Sequence, residues 1–146
     1  MVRELNDIAV TGWLATVPHP YTFEDFRLFA TEIAVPGETF AIEDADGVVG
    51  VIGLETHVLG YWLASRAHGR GYATEAARRL LDIHFARSEE SVESGYFVGN
   101  TRSGRVLEKL GFVQTGQDLK HCLALGIDRP HRIMMLTHDR WALFHG

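Results

Sequence analysis

Arg66-Ala67-His68-Gly69-Arg70-Gly71-Tyr72-Ala73-Thr74-Glu75 is the stretch on which the fold of this chain turns. On one side of it runs an apolar segment, Val58 to Ala64, that reads as a strand. On the other side Tyr72 to Arg87 reads as a helix. Glycines at 69 and 71, between a strand and a helix, let the backbone curl so that successive N–H groups point into one concavity at a helix start. Such a nest carries partial positive charge and suits an anion, above all a pyrophosphate. Two familiar phosphate loops do not match. A Walker-type loop needs Lys-Ser or Lys-Thr after its last glycine, and Tyr72-Ala73 stands there. A dinucleotide fingerprint needs a third glycine, and the chain has Thr74 at that place.

Outward from the loop, the Tyr72 to Arg87 helix carries an apolar stripe of Ala73, Ala76, Ala77, Leu80, Leu81 and His84, opposite Glu75, Arg78, Arg79 and Asp82. Upstream, Thr39 to Glu43 and Val48 to Glu55 read as strands joined by the hairpin signal Asp44-Ala45-Asp46-Gly47. Earlier still, Arg3 to Val17 has helical spacing in Leu5, Ile8, Ala9 and Trp13, and Pro18-His19-Pro20 must end that helix. Thr22 then caps a second helix, Phe23 to Ile33, with Asp25 near its start. Downstream, Val92 to Val98 reads as a strand. Asn100 opens a shorter helix through Leu110, and Gly111 stops it. Strands over Phe112 to Leu125 and His131 to Asp139 follow, with a turn at Gly126 to Pro130. This alternation predicts an α/β or α+β fold, a mixed, mainly antiparallel sheet flanked by about four helices in one domain, residues 1–146.

Composition narrows the partners. The 146 residues are 46% apolar, enough for a substantial core. Fourteen basic and nineteen acidic residues give a net charge of −5 without a basic block, which argues against a general nucleic-acid binder. Cys122 is the single cysteine, so neither an internal disulfide nor a cysteine zinc cluster is expected, and a reducing cytoplasm suits the chain. No apolar run approaches the ~18 residues of a membrane span. Eight histidines form no compact ligand motif, so no metal site is assigned.

A third phosphate-loop pattern does match. Arg66-Ala67-His68-Gly69-Arg70-Gly71 fits the R/Q-x-x-G-x-G/A motif of the GNAT superfamily of acetyl-CoA-dependent N-acetyltransferases, and Tyr72 to Ala76 continues as its third helix does. Asn100-Thr101-Arg102-Ser103, followed by Val106-Leu107-Glu108-Lys109-Leu110-Gly111-Phe112, resembles the family's fourth helix and the strand after it. Gly60 to Ala64 and Val17 to Thr22 resemble the branch that acetylates the N-termini of ribosomal proteins. Against that branch the chain starts partway through the first helix, around Glu4-Leu5-Asn6-Asp7. The resemblance therefore implies an N-terminally shortened sheet without its first strand. Such an open edge calls for cover by a partner subunit, as in a homodimer, or brings low stability.

The family supplies roles for named residues. Free backbone groups on Trp62, Leu63 and Ala64 would pair with the pantetheine arm like an added strand. Amides of His68, Gly69, Arg70, Gly71, Tyr72 and Ala73 would hold the pyrophosphate, with Arg66 and Arg70 adding charge-assisted contacts. Asn100 would cap its helix and bond the pantetheine arm, and Ser103 would lie near the CoA sulfur as general acid. For the base the candidates are Glu55, His57 and His121; none stands out, and Glu55 is assigned that role. The implied reaction is direct attack of a primary amine, a protein N-terminus or a small amine, on the acetyl thioester. A CoA-binding sensor without turnover is the alternative. The first two helices would form the acceptor side, where Trp13, Phe23, Phe26 and Phe29 divide between core and pocket.

Overall fold

The computed structural model describes residues 2–145. Its centre is a six-stranded sheet: β1 (Thr39–Asp44), β2 (Gly47–Glu55), β3 (Val58–Leu63), β4 (Val92–Phe97), β5 (Val113–Cys122) and β6 (Ile127–Leu136), in the order β1-β2-β3-β4-β6-β5. Every neighbouring pair is antiparallel except β3 with β4, which run parallel and meet at a single register position, Val58 opposite Glu93. The mixed, mainly antiparallel sheet is the expected one.

The helix that follows the glycine loop, α4 (Tyr72–Arg87), and the shorter α5 (Thr101–Leu110) have the boundaries read from their sequence signals. Gly111 ends α5 at φ 103°, a left-handed turn that a Cβ would disfavour. Ala77, Leu81 and Phe85 of α4 and Leu107 and Leu110 of α5 pack on Ile52, Leu59 and Met134, making the main core on one face of the sheet. A smaller core on the other face gathers Leu5, Val10 and Tyr21 against Trp62 and Phe26.

Four elements depart from expectation. The first helix is two short ones, α1 (Val2–Leu5) and α2 (Ile8–Thr11). Asp7 interrupts them, because its carboxylate accepts the Ala9 N–H at 3.0 Å and so caps a new start instead of continuing the old helix. The next helix, α3 (Phe23–Leu28), is capped by Thr22 and Asp25 as a reciprocal box and then relaxes into a π-helical turn over Phe29–Ile33. The late hairpin turns earlier than expected, at Leu123 to Gly126, and Pro130 lies inside β6. Its carbonyl accepts from Val98 N–H just beyond the end of β4, so the missing N–H falls at the end of that ladder and faces away from β5. A last helix, α6 (His138–His145), replaces the expected end of that strand, and its Trp141 stacks on Phe85 at 5.7 Å.

Candidate active site

Parallel β3 and β4 separate beyond Val58–Glu93, and a cavity of about 570 Å³ opens in the gap. Backbone groups along β3 decide what the gap can bind. Ala64 N–H donates to Val49 of β2 at 2.7 Å. Strand residues alternate, so Trp62 also faces β2, while Leu59, Tyr61 and Leu63 turn their N–H and C=O toward the gap. Ser94 of β4 donates its hydroxyl to the Leu59 carbonyl at 2.8 Å, a side chain standing in where the ladder has stopped. The His68 ring donates through Nε2 to the Leu63 carbonyl at 3.0 Å. Burial is the main reason the His68 pKa is lowered, with the Arg102 charge second, so the ring is neutral at pH 7. Tyr61 is thus the residue that offers both backbone groups to an extended ligand, with the Leu63 N–H beside it. This corrects the expectation for the backbone groups of Trp62 and Ala64, which face β2; of the three strand residues proposed, Leu63 alone turns its backbone to the gap.

The gap leads to the glycine loop. Gly69 and Gly71 both have φ 76°, and a Cβ at either would meet nothing within 4 Å, so the conformation, not crowding, demands glycine. Gly71 immediately precedes α4 with no side-chain cap, which leaves the first N–H groups of that helix free for an anion. His68, Gly69, Gly71, Tyr72 and Ala73 line the cavity. Arg66 does not: its guanidinium turns back to Asp44 at 3.5 Å and to the Val48 carbonyl at 3.3 Å. Arg70 is exposed and lies outside the cavity wall. Of the cations that do line the cavity, Lys120 comes from β5, while Arg102, Arg105 and Lys109 come from α5. Their i, i+3, i+7 spacing on one helix face was the available signal. A pyrophosphate-bearing chain fits this arrangement, with free helix-start amides at one end, cations beside them and open backbone groups leading inward.

Asn100 caps α5 by accepting the Ser103 N–H at 3.4 Å. Both residues line the cavity, and Ser103 Oγ lies 2.8 Å from the Tyr61 hydroxyl. Burial pushes Tyr61 up to about 12, with the Ser103 bond opposing the rise, so the phenol keeps its proton at neutral pH. Tyr61 carried no motif of its own. The candidate bases are elsewhere. Glu55 accepts from the Thr39 hydroxyl at 2.6 Å between β1 and β2, His57 meets the edge of His84, and His121 pairs with Asp128 near the tip of the late hairpin. None of the three lines the cavity. Trp13 and Trp62 do, whereas Phe26 packs in the smaller core and Phe23 is exposed.

Comparison with known proteins agrees with this geometry. The acetyltransferase (GNAT) domain family matches residues 2–113. The Bacillus subtilis protein named "Probable N-acetyltransferase YjcK" is 33% identical over 86 residues, which is 58% of this chain and 48% of that protein. The protein of the same strain named "Putative ribosomal N-acetyltransferase YdaF" is 37% identical over 60 residues, 40% of this chain and 33% of its own length. The chain therefore spans about half, or less, of the curated relatives it matches. Spermidine N-acetyltransferase from Vibrio cholerae, solved with CoA and spermine, superposes with a TM-score of 0.75 at 20% identity, over 97% of this chain and 89% of that one. With the family matched over residues 2–113, more than three quarters of this chain, the chain belongs to the GNAT acetyltransferase domain family.

Proposed function

We propose that this protein transfers an acetyl group from acetyl-CoA to a primary amine. One observation carries the reading: the gap between β3 and β4 joins unpaired strand backbone at Tyr61 and Leu63 to the glycine-rich start of α4. That track suits pantetheine followed by pyrophosphate. Family membership supplies the chemistry. In this reading the amine attacks the thioester carbonyl directly, and the Ser103 hydroxyl, backed by Tyr61, protonates the departing sulfur. A thiol with pKa near ~8.5 needs only modest help to leave. The cavity wall carries two carboxylates able to meet a cationic acceptor, Glu93 and Asp118, beside Lys120 and the cations of α5. Likeness to YdaF supports a protein N-terminus, and likeness to the spermidine enzyme supports a polyamine.

Thermal unfolding with acetyl-CoA, ATP and NAD tests the ligand. Acetyl-CoA alone is expected to raise Tm, and an unchanged Tm would overturn the reading. Thiol release with spermidine and with an alanine-initiated peptide then separates an enzyme from a sensor, which would bind acetyl-CoA yet release nothing with either amine.

A further inference from the structure

The cavity holds a histidine–carboxylate pair outside the roles assigned above. His131 of β6 and Asp118 of β5 are directly opposed across the strands, with Nδ1 2.9 Å from Oδ1. The carboxylate accepts, so the neutral ring carries its hydrogen on Nδ1 and keeps its lone pair on Nε2. Among the described residues Nε2 has no hydrogen-bond partner, and His131 lines the cavity. Space for the ring is made by Gly95 of β4: a Cβ there would lie 2.4 Å from Cε1 and 2.6 Å from Nε2. Phe97 meets the ring edge-on at 5.7 Å and fixes its tilt.

The position is as informative as the pairing. Tyr61 and Ser103 reach the gap from the α5 face of the sheet. Residues 95, 97 and 131 share the opposite face, the one covered by α2 and Trp13, so the gap has a hydroxyl donor on one face and a free imidazole nitrogen on the other. We propose that His131, oriented by Asp118, is the general base that deprotonates the acceptor ammonium. The inference rests on the acetyl-transfer reading. The acceptor arrives as a primary ammonium, and Nε2 takes one of its protons. The freed lone pair forms the C–N bond at the thioester carbonyl as the C–S bond breaks. A second proton leaves nitrogen for the thiolate by way of Ser103. The products are the acetamide, the free thiol and a protonated His131, which passes its proton to water.

A neighbouring pair supplies an internal control. His121 and Asp128 make the same cross-strand contact, 2.8 Å, on the same hairpin but outside the cavity. The ionisable groups around His131 are Asp118 and Lys120 of β5, Glu93 of β4, and Arg129 of β6, which lies over Trp13 and Phe97. The cavity-lining residues of segment 9–15 are uncharged.

The test is thiol release from acetyl-CoA, with spermidine and with an alanine-initiated peptide, for wild type and the variants H131Q, D118N and H121Q. In H131Q kcat is expected to fall about 10²-fold at pH 7, while KM for acetyl-CoA and the acetyl-CoA shift in Tm are kept. The deficit should shrink as pH rises toward the amine's own pKa, ~8 for an α-amine and ~10 for an alkylamine, because the acceptor then arrives neutral. D118N should lose about tenfold, since an amide can favour the wrong tautomer, and H121Q should match wild type. Nitrogen NMR gives a readout independent of turnover: the neutral form of the His131 ring should carry its proton on Nδ1, a preference lost in D118N. Wild-type turnover with H131Q within twofold at pH 7, or an H131Q deficit equal at every pH, overturns the assignment. Should H131Q not fold, D118N at the wild-type rate overturns it. Wild type that binds acetyl-CoA but releases no thiol with either amine overturns the acetyl-transfer reading itself, and the base with it.

Discussion

At the gap between β3 and β4, two hydroxyls 2.8 Å apart, on Tyr61 and Ser103, form a donor pair that stays protonated at neutral pH. Ser103 is placed by its N–H bond to Asn100, so the cap that starts α5 also aims the hydroxyl. If Ser103 is the acid, S103A should lower kcat about tenfold, near the low end for acid catalysis, because a thiolate is already a fair leaving group. KM for acetyl-CoA should hardly move. Y61F, which keeps the ring and its packing, should cost less, since Ser103 retains its own proton. Steady-state rates decide the matter: unchanged kcat in S103A would leave Ser103 as part of the helix start only. Asn100, Ser103 and the two loop glycines were legible because their work is local, a cap or a left-handed turn. Tyr61 was not, because its partner lies 42 positions away on another element.

Among the elements, α2 links the cavity wall, through Ala9 and Val10, to the segment that leads into the glycine loop. Asp7 accepts from Ala9 N–H with one carboxylate oxygen and from the Ser65 hydroxyl, 2.7 Å away, with the other. The Ser65 bond is the larger reason its pKa lies below the usual carboxylate range, and the Ala9 N–H is the next. D7A should lower stability by about 1 kcal/mol, the usual worth of an N-cap, or about 3 °C in Tm for a chain of this length. The sign with pH follows from the lowered value: the folded state holds the proton less tightly than the unfolded chain. The advantage of wild type over D7A is therefore present above pH ~4 and is lost as pH falls through the folded pKa. Urea melts at pH 7 and pH 3 check both parts, and a gap that widened in acid would reject the account. The same residue explains why helical spacing over Arg3 to Val17 misled. Apolar periodicity registers which face is buried, but a side chain that captures its own backbone two residues on can break the helix without disturbing that spacing.

For the whole molecule, α6 closes the main core. Trp141 is 6% exposed and stacks on Phe85 of α4, away from the cavity wall. W141A should cost about 3–5 kcal/mol, as large aromatic truncations in a core do. In denaturant melts a loss under ~1 kcal/mol would mean that α6 merely rests on the surface. If the truncated protein still folds, its acetyl-CoA response should persist. No helix among the described residues is long and apolar enough to cross a membrane. Thr137 receives the Arg140 N–H on its hydroxyl and so starts α6, a signal present in the chain but hidden behind the run of strand residues before it. What the chain settled unaided was local: α4 and α5 to the residue, the hairpin of β1 and β2, the left-handed glycines and the phosphate-loop family. Each depends on contacts within a few positions, where propensity and steric limits act directly. What needed the folded molecule was every pairing across strands. Register and face set which backbone groups of β3 are free, turn Arg66 away from the cavity, keep Glu55 and His121 outside it, and bring His131 and Asp118 together within it. A shift of one residue along a strand reverses the side on which a group points, and that choice is made by the packing of distant segments.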